Sequence, residues 1–398
     1  MPSFNGTLNV NEIYSSLRNM IISQRIYSGN IKGVAASLVD EARADGSMFG
    51  DTKLFISTDV LESHEWAGDS EAANLLSLDR PKNPEVQALV LNKFRQIRVT
   101  TDDILSKRAF MTSEIFVEFN GIMLAWLSDT KRVYDGTLYA AFFGTNVTST
   151  GKQVVSVDLG TGSGHPLYNL SGVEKEQMEA MLIAQALADL FVELKDVSRD
   201  FNDYQQLRSH ADEDIKVVWN SKYVNKIRKI DLPTIFHKDG LMEKFDERIL
   251  PAKYFGTVIN SSNISTYSAS TPAAGKPINS STNAYTPGSN HANGCIRSLV
   301  EKKVTVGGTV YHVFPGFELP AGATIVATTG DWLPGEVYIE QADVICKVVT
   351  ELPPYLSAFS VGSEFFNPRS HTRNNYLTFG YNALEHLKGK PFITVKAV

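Results

Sequence analysis

The chain has 398 residues, enough for two or three domains of roughly 100–200 residues and for a sizeable buried core. Lys and Arg total 38 against 44 Asp and Glu, and the resulting net charge of −6 excludes a protein that grips nucleic acid by bulk positive charge. A hydrophobic content of 43% with 21% charged residues excludes disorder, and two cysteines exclude a disulfide scaffold. Cys295 and Cys346 sit at no metal-ligand spacing and read as reduced thiols. The opening MPSFNGTLNV has neither the basic nor the apolar region of a signal peptide. No stretch reaches the roughly 18 apolar residues of a membrane helix. The sequence therefore reads as a soluble protein with no membrane partner.

Residues 1–50 read as an arm with short helical patterns at 13–22 and 31–44, neither long enough to stand alone. A strand-like segment follows at 53–60, and a second at 89–99. In the second, Phe94, Ile97 and Val99 do not alternate cleanly, which predicts a bulge or a twist. Between them lies a polar excursion carrying Glu62, His64, Glu65, Asp69, Glu71, Asp79, Arg80 and Lys82, with Pro81 and Pro84. A strand–excursion–strand unit this polar cannot bury much of itself, so it is either disordered or laid against another subunit. Trp66 within it suits an interface anchor, with a local packing plug as the alternative.

The pattern then turns helical. Thr100-x-x-Asp103 has the form of a capping box, and Asp102 and Asp103 suit the positive end of a helix dipole. Met111, Ile115, Phe119, Ile122, Trp126 and Val133 follow on one face of a helix of roughly 30–40 residues. Gly121 is a weak point in it, and Gly136 or Gly144 would end it. A strand at 153–158 leads into the turn Gly160-Thr-Gly-Ser-Gly164. A second helix at 173–194 carries Met178, Met181, Leu182, Ala186, Leu190 and Leu194 on one face. Residues 215–219 form a strand, and Tyr223, Ile227 and Ile230 suggest a short helix.

Residues 260–294 are almost all Ser, Thr, Asn, Ala, Pro and Gly, with Lys276 the only charge. They read as an exposed loop or insertion, low in core-forming residues. Two strands flank Gly307-Gly308 over 303–314, the clearest hairpin in the chain. Short strands follow at 323–327, 336–339 and 344–349. A strand-like run at 374–381, a short helix at 383–387 and a closing segment at 392–398 end the chain. No internal repeat is visible.

Few motifs carry chemistry. The strand ending in Asp158-Leu-Gly-Thr-Gly-Ser-Gly164 resembles the first motif of Rossmann-like S-adenosylmethionine methyltransferases. That reading requires a helix directly after the last glycine and a second parallel strand ending in an acid about 20 residues on. Here His165 to Gly172 intervene and the acid is absent, so a plain strand-to-loop turn is the simpler reading. There is no phosphate loop, no H-E-x-x-H and no G-x-S-x-G elbow. No two of the eight histidines sit three or four apart.

The order of parts resembles the major capsid proteins of tailed bacteriophages, with the α+β Hong Kong 97-like capsid fold. KFRQIRVTTDDILSKRAFMTSEIFVEF (93–119) is similar to the return strand of the family's extended loop running into its spine helix. HADEDIKVVWNSKYVNKIRKI (210–230) is similar to an axial-domain strand leading into a helix, and VTVGGTVYHVFPGFELP (304–320) to a late axial-domain hairpin.

The resemblance implies an N-terminal arm (1–48), an extended loop (49–100), and a spine helix with peripheral domain (101–210). An axial domain (211–350) with the insertion 260–294 follows, then a C-terminal return to the peripheral domain (351–398). It implies a head protein that assembles with itself as hexamers and pentamers into an icosahedral shell. That shell encloses double-stranded DNA without sequence specificity and has no catalytic site, cofactor or metal. A separate scaffolding protein and a portal protein are the implied partners. The insertion is a candidate docking site for a decoration protein, and a plain surface loop is the simpler alternative. The arm begins at once, which predicts no cleaved scaffolding segment. Lys53 and Lys82 lie in or near the loop, but nothing identifies an Asn and Glu for cross-linking. Glu62, Glu65, Trp66, Arg80 and Lys82 are the candidate inter-subunit contacts. Encapsulin-type shell proteins, tail or adhesion components and the methyltransferase are the rival readings.

Overall fold

The computed structural model describes residues 34–46, 50–63, 80–102, 113–145, 151–228, 246–270, 276–287, 294–326, 332–341 and 343–398. In chain order, the first elements are α1 (Val34–Ala42), β1 (Arg43–Gly46), β2 (Thr52–Ser57), β3 (Glu85–Asp102) and α2 (Ser113–Thr145). Next come β4 (Val154–Val157), α3 (Gly172–Lys195), β5 (Lys216–Asn220), α4 (Ser221–Arg228), β6 (Asp246–Leu250) and β7 (Gly256–Val258). They are followed by α5 (Ile264–Tyr267), β8 (Ser268–Ala269), β9 (Ile278–Asn279), β10 (Ala284–Tyr285), β11 (Ile296–Ser298), β12 (Lys302–Val306) and β13 (Thr309–Val313). The last strands are β14 (Val337–Glu340), β15 (Val344–Val349), β16 (Tyr355–Asn367), β17 (Thr372–Asn382) and β18 (Phe392–Ala397). Two compact units result, each assembled from three separate stretches of chain.

The first unit comprises Met1–Asp51, Val90–Thr137 and Tyr355–Ala383. Its framework is the long antiparallel ribbon of β16 and β17, to which β3 adds antiparallel on one side and β1 parallel on the other. The β3 register runs from Asp102 opposite Thr372 to Lys93 opposite Tyr381, then skips Asn92 before Leu91. A bulge is therefore present, but at Asn92, whereas the stretch 94–99 that prompted the expectation pairs regularly. Asp135 of α2 is buried and accepts a hydrogen bond from Tyr355 Oη (2.7 Å) and an ion pair from Lys131 Nζ (2.6 Å). Beside it, the Tyr134 and Tyr381 hydroxyls meet at 2.6 Å, and the Arg95 guanidinium lies 4.9 Å from the Tyr134 ring centre. A buried carboxylate is tolerable only with partners of this kind.

The helix α2 has 33 residues, within the expected range, but the expected capping box is not its start. Thr100 and Asp102 belong to β3, and Thr100 Oγ1 donates to Asn374 Oδ1 at 2.7 Å. A Thr/Asp-rich stretch suits a strand edge with a polar neighbour as well as a helix cap, and the β17 partner decides between them. Asp103 and Met111 lie outside the described residues.

The second unit comprises Thr52–Leu89, Leu138–Pro354 and Leu384–Val398. It holds a five-stranded sheet in the order β4-β18-β15-β5-β6. β18, β15 and β5 are antiparallel neighbours, while β4 and β6 join parallel at the two edges. α3 covers one face, packing Ala180, Ile183, Leu187, Leu190, Phe191 and Leu194 onto Val217, Trp219, Cys346, Val348, Ile393 and Val395. The helix limits match the expectation to within a residue, but the buried face does not. Leu190 and Leu194 are on it, whereas Met181 is exposed and Leu182 and Ala186 are half-buried. The apolar residues span a wide arc of the helix, so the sheet, not the periodicity, selects which part of the arc is covered. On the central strand β15, Lys347 is fully buried; its Nζ donates to Thr394 Oγ1 at 2.7 Å and lies 5.2 Å from the Phe392 ring centre.

A second core gathers Ile259, Tyr267, Ile278, Tyr285, Ile296, Val304, Trp332, Val337 and Ile339. Around it stand the sheets β11-β14-β7 and β10-β9-β8 and the hairpin β12-β13, with Gly307 and Gly308 both at positive φ in the turn. This corrects the reading of 260–294 as an exposed loop low in core-forming residues. Of its few large apolar residues, Tyr267, Ile278 and Tyr285 are buried in this core and Ile264 packs against it half-buried. Its polar residues fold the chain between them. Asn260 Oδ1 accepts from the backbone N–H of Ser262 and Asn263, and Asn279 Oδ1 from that of Ser281. Such side-chain turns make compact structure without apolar periodicity.

Two smaller expectations also fail. Residues 383–387 form no helix; the His386 carbonyl accepts from the distant Gln87 side chain. Residues 323–326 make only an isolated bridge, Ala284 to Thr324, in place of a strand. The 13-residue strand β16 has no counterpart in the sequence reading.

Two predictions follow from this packing. In α2, a Cβ on Gly144 would overlap the Tyr254 carbonyl, whereas one on Gly121 would meet open space. Gly144→Ala is expected to destabilise by about 1–3 kcal/mol, and Gly121→Ala to stabilise by about 0.5–1 kcal/mol, as read by denaturant unfolding. Burial pulls Lys347 from 10.5 down to about 7. The unfolded chain therefore binds the extra proton between these values and the folded chain does not. Stability should rise with pH across that window by up to about 1.4 kcal/mol per unit. Lys347→Met should remove this rise, seen as converging unfolding midpoints at pH 7 and pH 9.

Candidate assembly surface

The two strands that carry the loop, β2 and β3, are neighbours in one sheet. Successive side chains of a strand point to opposite faces. In β2 the sequence Leu54-Phe-Ile56 is apolar at three consecutive positions, so both faces are apolar. Phe55 is half-buried, while Leu54 and Ile56 are 60% and 65% exposed. The first residues of β3 repeat the arrangement. Gln87 and Leu89 are buried, while Val86 is exposed together with Ala88. Val60 and Leu61 extend the exposed apolar set past the end of β2. Single surface aliphatics are ordinary, but several of them on two neighbouring strands make this the candidate assembly surface.

The residues selected from the sequence lie on the same loop. Glu62, Arg80 and Lys82 are all exposed, and among the described residues no ion pair joins them to anything. Glu65 and Trp66 lie outside the described residues. The apolar outer face was missed because the stretch was weighed by its charges. The three-residue apolar run at 54–56 was the available signal, since only a strand covered on both faces needs it.

The root of the loop is held by ionic and polar contacts. Asp59 accepts from Arg199 Nη1 at 2.6 Å and from the Leu207 N–H at 3.0 Å. These hydrogen bonds hold its carboxyl at about 2, against 3.8 ordinarily.

The glycine turn is not a cofactor cradle. β4 is a four-residue edge strand in a mixed sheet, not the first strand of a parallel doubly wound one. Asp158 Oδ1 accepts from the Gly160 N–H at 2.9 Å and closes a local turn. The fold is thus not that of a Rossmann-like methyltransferase. Neither cysteine is in a disulfide, and both are buried. Burial pushes the Cys295 thiol up to about 11 and Cys346 higher still, so neither is a poised nucleophile. Among the described residues, no group of His, Cys, Asp and Glu could hold a metal ion, and no helix is long and apolar enough to cross a membrane.

No protein-family model and no curated protein matches the chain. Solved structures do. A chain of the capsid structure of Staphylococcus phage Andhra aligns over 100% of this chain and 88% of its own length, with TM-score 0.52 and 10% identity. A chain in the structure of head fiber and inner core protein gp22 of native bacteriophage P68 aligns over the same shares, with TM-score 0.53 and 10% identity. At such identity the likeness lies in the arrangement of elements, and it spans the whole chain. The chain has the α+β Hong Kong 97-type fold of the major capsid proteins of tailed bacteriophages.

Proposed function

We propose that this chain is a major capsid protein. It assembles with itself as hexamers and pentamers into an icosahedral shell that encloses double-stranded DNA in the virion, and it is formed in the host cytoplasm. The observation that carries this reading is the full-length likeness to a chain of a phage capsid structure. The open apolar face of the loop strands supports it, because a surface of that kind is stable in water only when another molecule covers it. In this reading the covering molecule is a neighbouring copy. Many such contacts, individually weak, add up in a closed assembly. The parts are the arm (1–48), the extended loop (49–100), the spine helix and peripheral domain (101–210), the axial domain (211–350) and the C-terminal return (351–398). Scaffolding, portal and decoration proteins are the further partners. The chain's role is structural, not catalytic. Exposed Glu62, Arg80 and Lys82, with Glu65 and Trp66, set the register of the loop on its neighbour, since exposed charge pairs contribute specificity more than strength.

The chain expressed with and without a scaffolding protein should give closed shells or capsomers by negative-stain electron microscopy and light scattering. DNA within the shells would separate a virus head from a cellular compartment. A monomer in both conditions would count against the reading. Leu54→Ser combined with Ile56→Ser should leave monomer melting nearly unchanged, because both side chains are already exposed. The same pair should cut shell yield at least tenfold, since roughly 2–4 kcal/mol of apolar burial is lost per loop.

A further inference from the structure

We propose that residues 198–208 and 386–389 form a single polar clasp that grips both strands of the loop at their root and fixes the direction in which those strands run. The consequence for assembly rests on the capsid reading above; the clasp itself does not.

The outgoing strand is held first. The Ser57 hydroxyl donates to Gln206 Oε1, and Gln206 Nε2 donates back to the Ser57 carbonyl. Arg208 Nη2 donates to Ser57 Oγ at 2.9 Å and to the Thr58 carbonyl at 2.6 Å. Asp59 takes Arg199 and the Leu207 N–H, so every residue from Ser57 to Asp59 is bound to the same short segment. Ser198 and Arg208 close that segment on itself through a two-way backbone pair.

The returning strand is held by one side chain. Gln87 Nε2 donates to the His386 carbonyl at 2.9 Å, and Gln87 Oε1 accepts from the Lys388 N–H at 3.0 Å. Its amide thus replaces a backbone pairing on residues 386–388.

The two grips are one network. Asn202 and Gln206 bond each other twice, Nδ2 to the Gln206 carbonyl (2.8 Å) and the Gln206 N–H to Oδ1 (2.9 Å). The neighbouring Asp203 donates its N–H to the Lys388 carbonyl at 2.8 Å, and its carboxylate meets His386 Nε2 at 2.7 Å and Gln153 Nε2 at 2.7 Å. Gln153 Oε1 accepts the Phe392 N–H at 3.3 Å, which ties the network to β18 and so to the five-stranded sheet. Gln87, Gln153 and Gln206 are the buried glutamines among the described residues, and all three are here.

Buried amides are costly unless fully paired, and when paired they are directional in a way that apolar contacts are not. Three of them at one root specify an angle. The loop strands leave from this anchor with their apolar outer face open, so the anchor sets where that face is presented to a neighbouring copy.

Hydrogen exchange on the unassembled full chain tests the clasp. Asp59→Ala should speed amide exchange about 10–100-fold in residues 52–57, the range expected for losing charge-assisted hydrogen bonds. It should also speed exchange in residues 85–89, which it does not touch, while Cys346 and Val348 stay protected. Gln87→Met should loosen both strands in the same way. Asp59→Asn, which keeps the shape and one acceptor, should give a smaller rise in both and serves if Asp59→Ala does not fold. Loosening confined to the substituted strand, or none in a folded variant, would overturn the single clasp. Should wild-type chain form shells and Asp59→Ala form the same shells in equal yield, the positioning role is overturned. If wild-type chain forms no shells, the capsid reading fails and the exchange pattern alone decides the clasp.

Discussion

The second unit depends on the pairing of β18 between β4 and β15. These strands come from residues 392–397, 154–157 and 344–349, so the sheet closes only when the end of the chain meets a segment more than 200 residues earlier. β18 bonds along both of its edges, antiparallel to β15 and parallel to β4. The core under α3 is then sealed by Ile393 and Val395. Buried Lys347 donates to Thr394 of β18, and a buried amine without a polar neighbour is strongly disfavoured. Gln153 fixes the Phe392 and Thr394 amides from the other side. Contacts this distant in sequence carry a high closure cost before they contribute anything, which makes such a sheet slow to form.

The loop combines two kinds of interaction with different jobs. At its root the contacts are hydrogen bonds and the Asp59–Arg199 ion pair, which are directional and demand one geometry. Along β2 and the start of β3 the outer surface is aliphatic, which supplies affinity without fixing direction. Under the proposed capsid role a subunit needs both, since affinity without direction gives aggregates and direction without affinity gives monomers.

Legibility in the sequence followed the range of the interactions. The Gly307-Gly308 hairpin, the helix at 172–195 and the strand at 344–349 were all readable, because local turn chemistry, helical periodicity and a β-branched run specify them. β16 was not. Its Ser, Gly and aromatic residues have no clean alternation, and it is a strand because β17 and β1 flank it. The run 383–387 looked helical by composition and is irregular, with the His386 carbonyl and the following Lys388 N–H both bonded to Gln87. At the assembly surface, charges drew attention to Glu62, Arg80 and Lys82, while Leu54, Ile56 and Val86 carry the exposed apolar surface. Composition weighs a segment, but it does not say which side of a strand remains open.

By itself, the sequence determined the order of parts: a loop carried on two strands, then a long helix, then mixed sheets with a late hairpin. That order is set by periods of 2 and 3.6 and by turn residues, all short-range properties of the chain. Tertiary structure decided which faces are covered. It turned Met181 outward, drew Tyr267, Ile278 and Tyr285 of a Ser/Thr/Asn-rich stretch into a core, and made Thr100 a strand residue. It also joined Gln87, Gln153 and Gln206 into one network from three distant places. Burial and hydrogen-bond partnership are properties of neighbours in space. Where those neighbours lie a hundred or more residues apart, no local pattern encodes them.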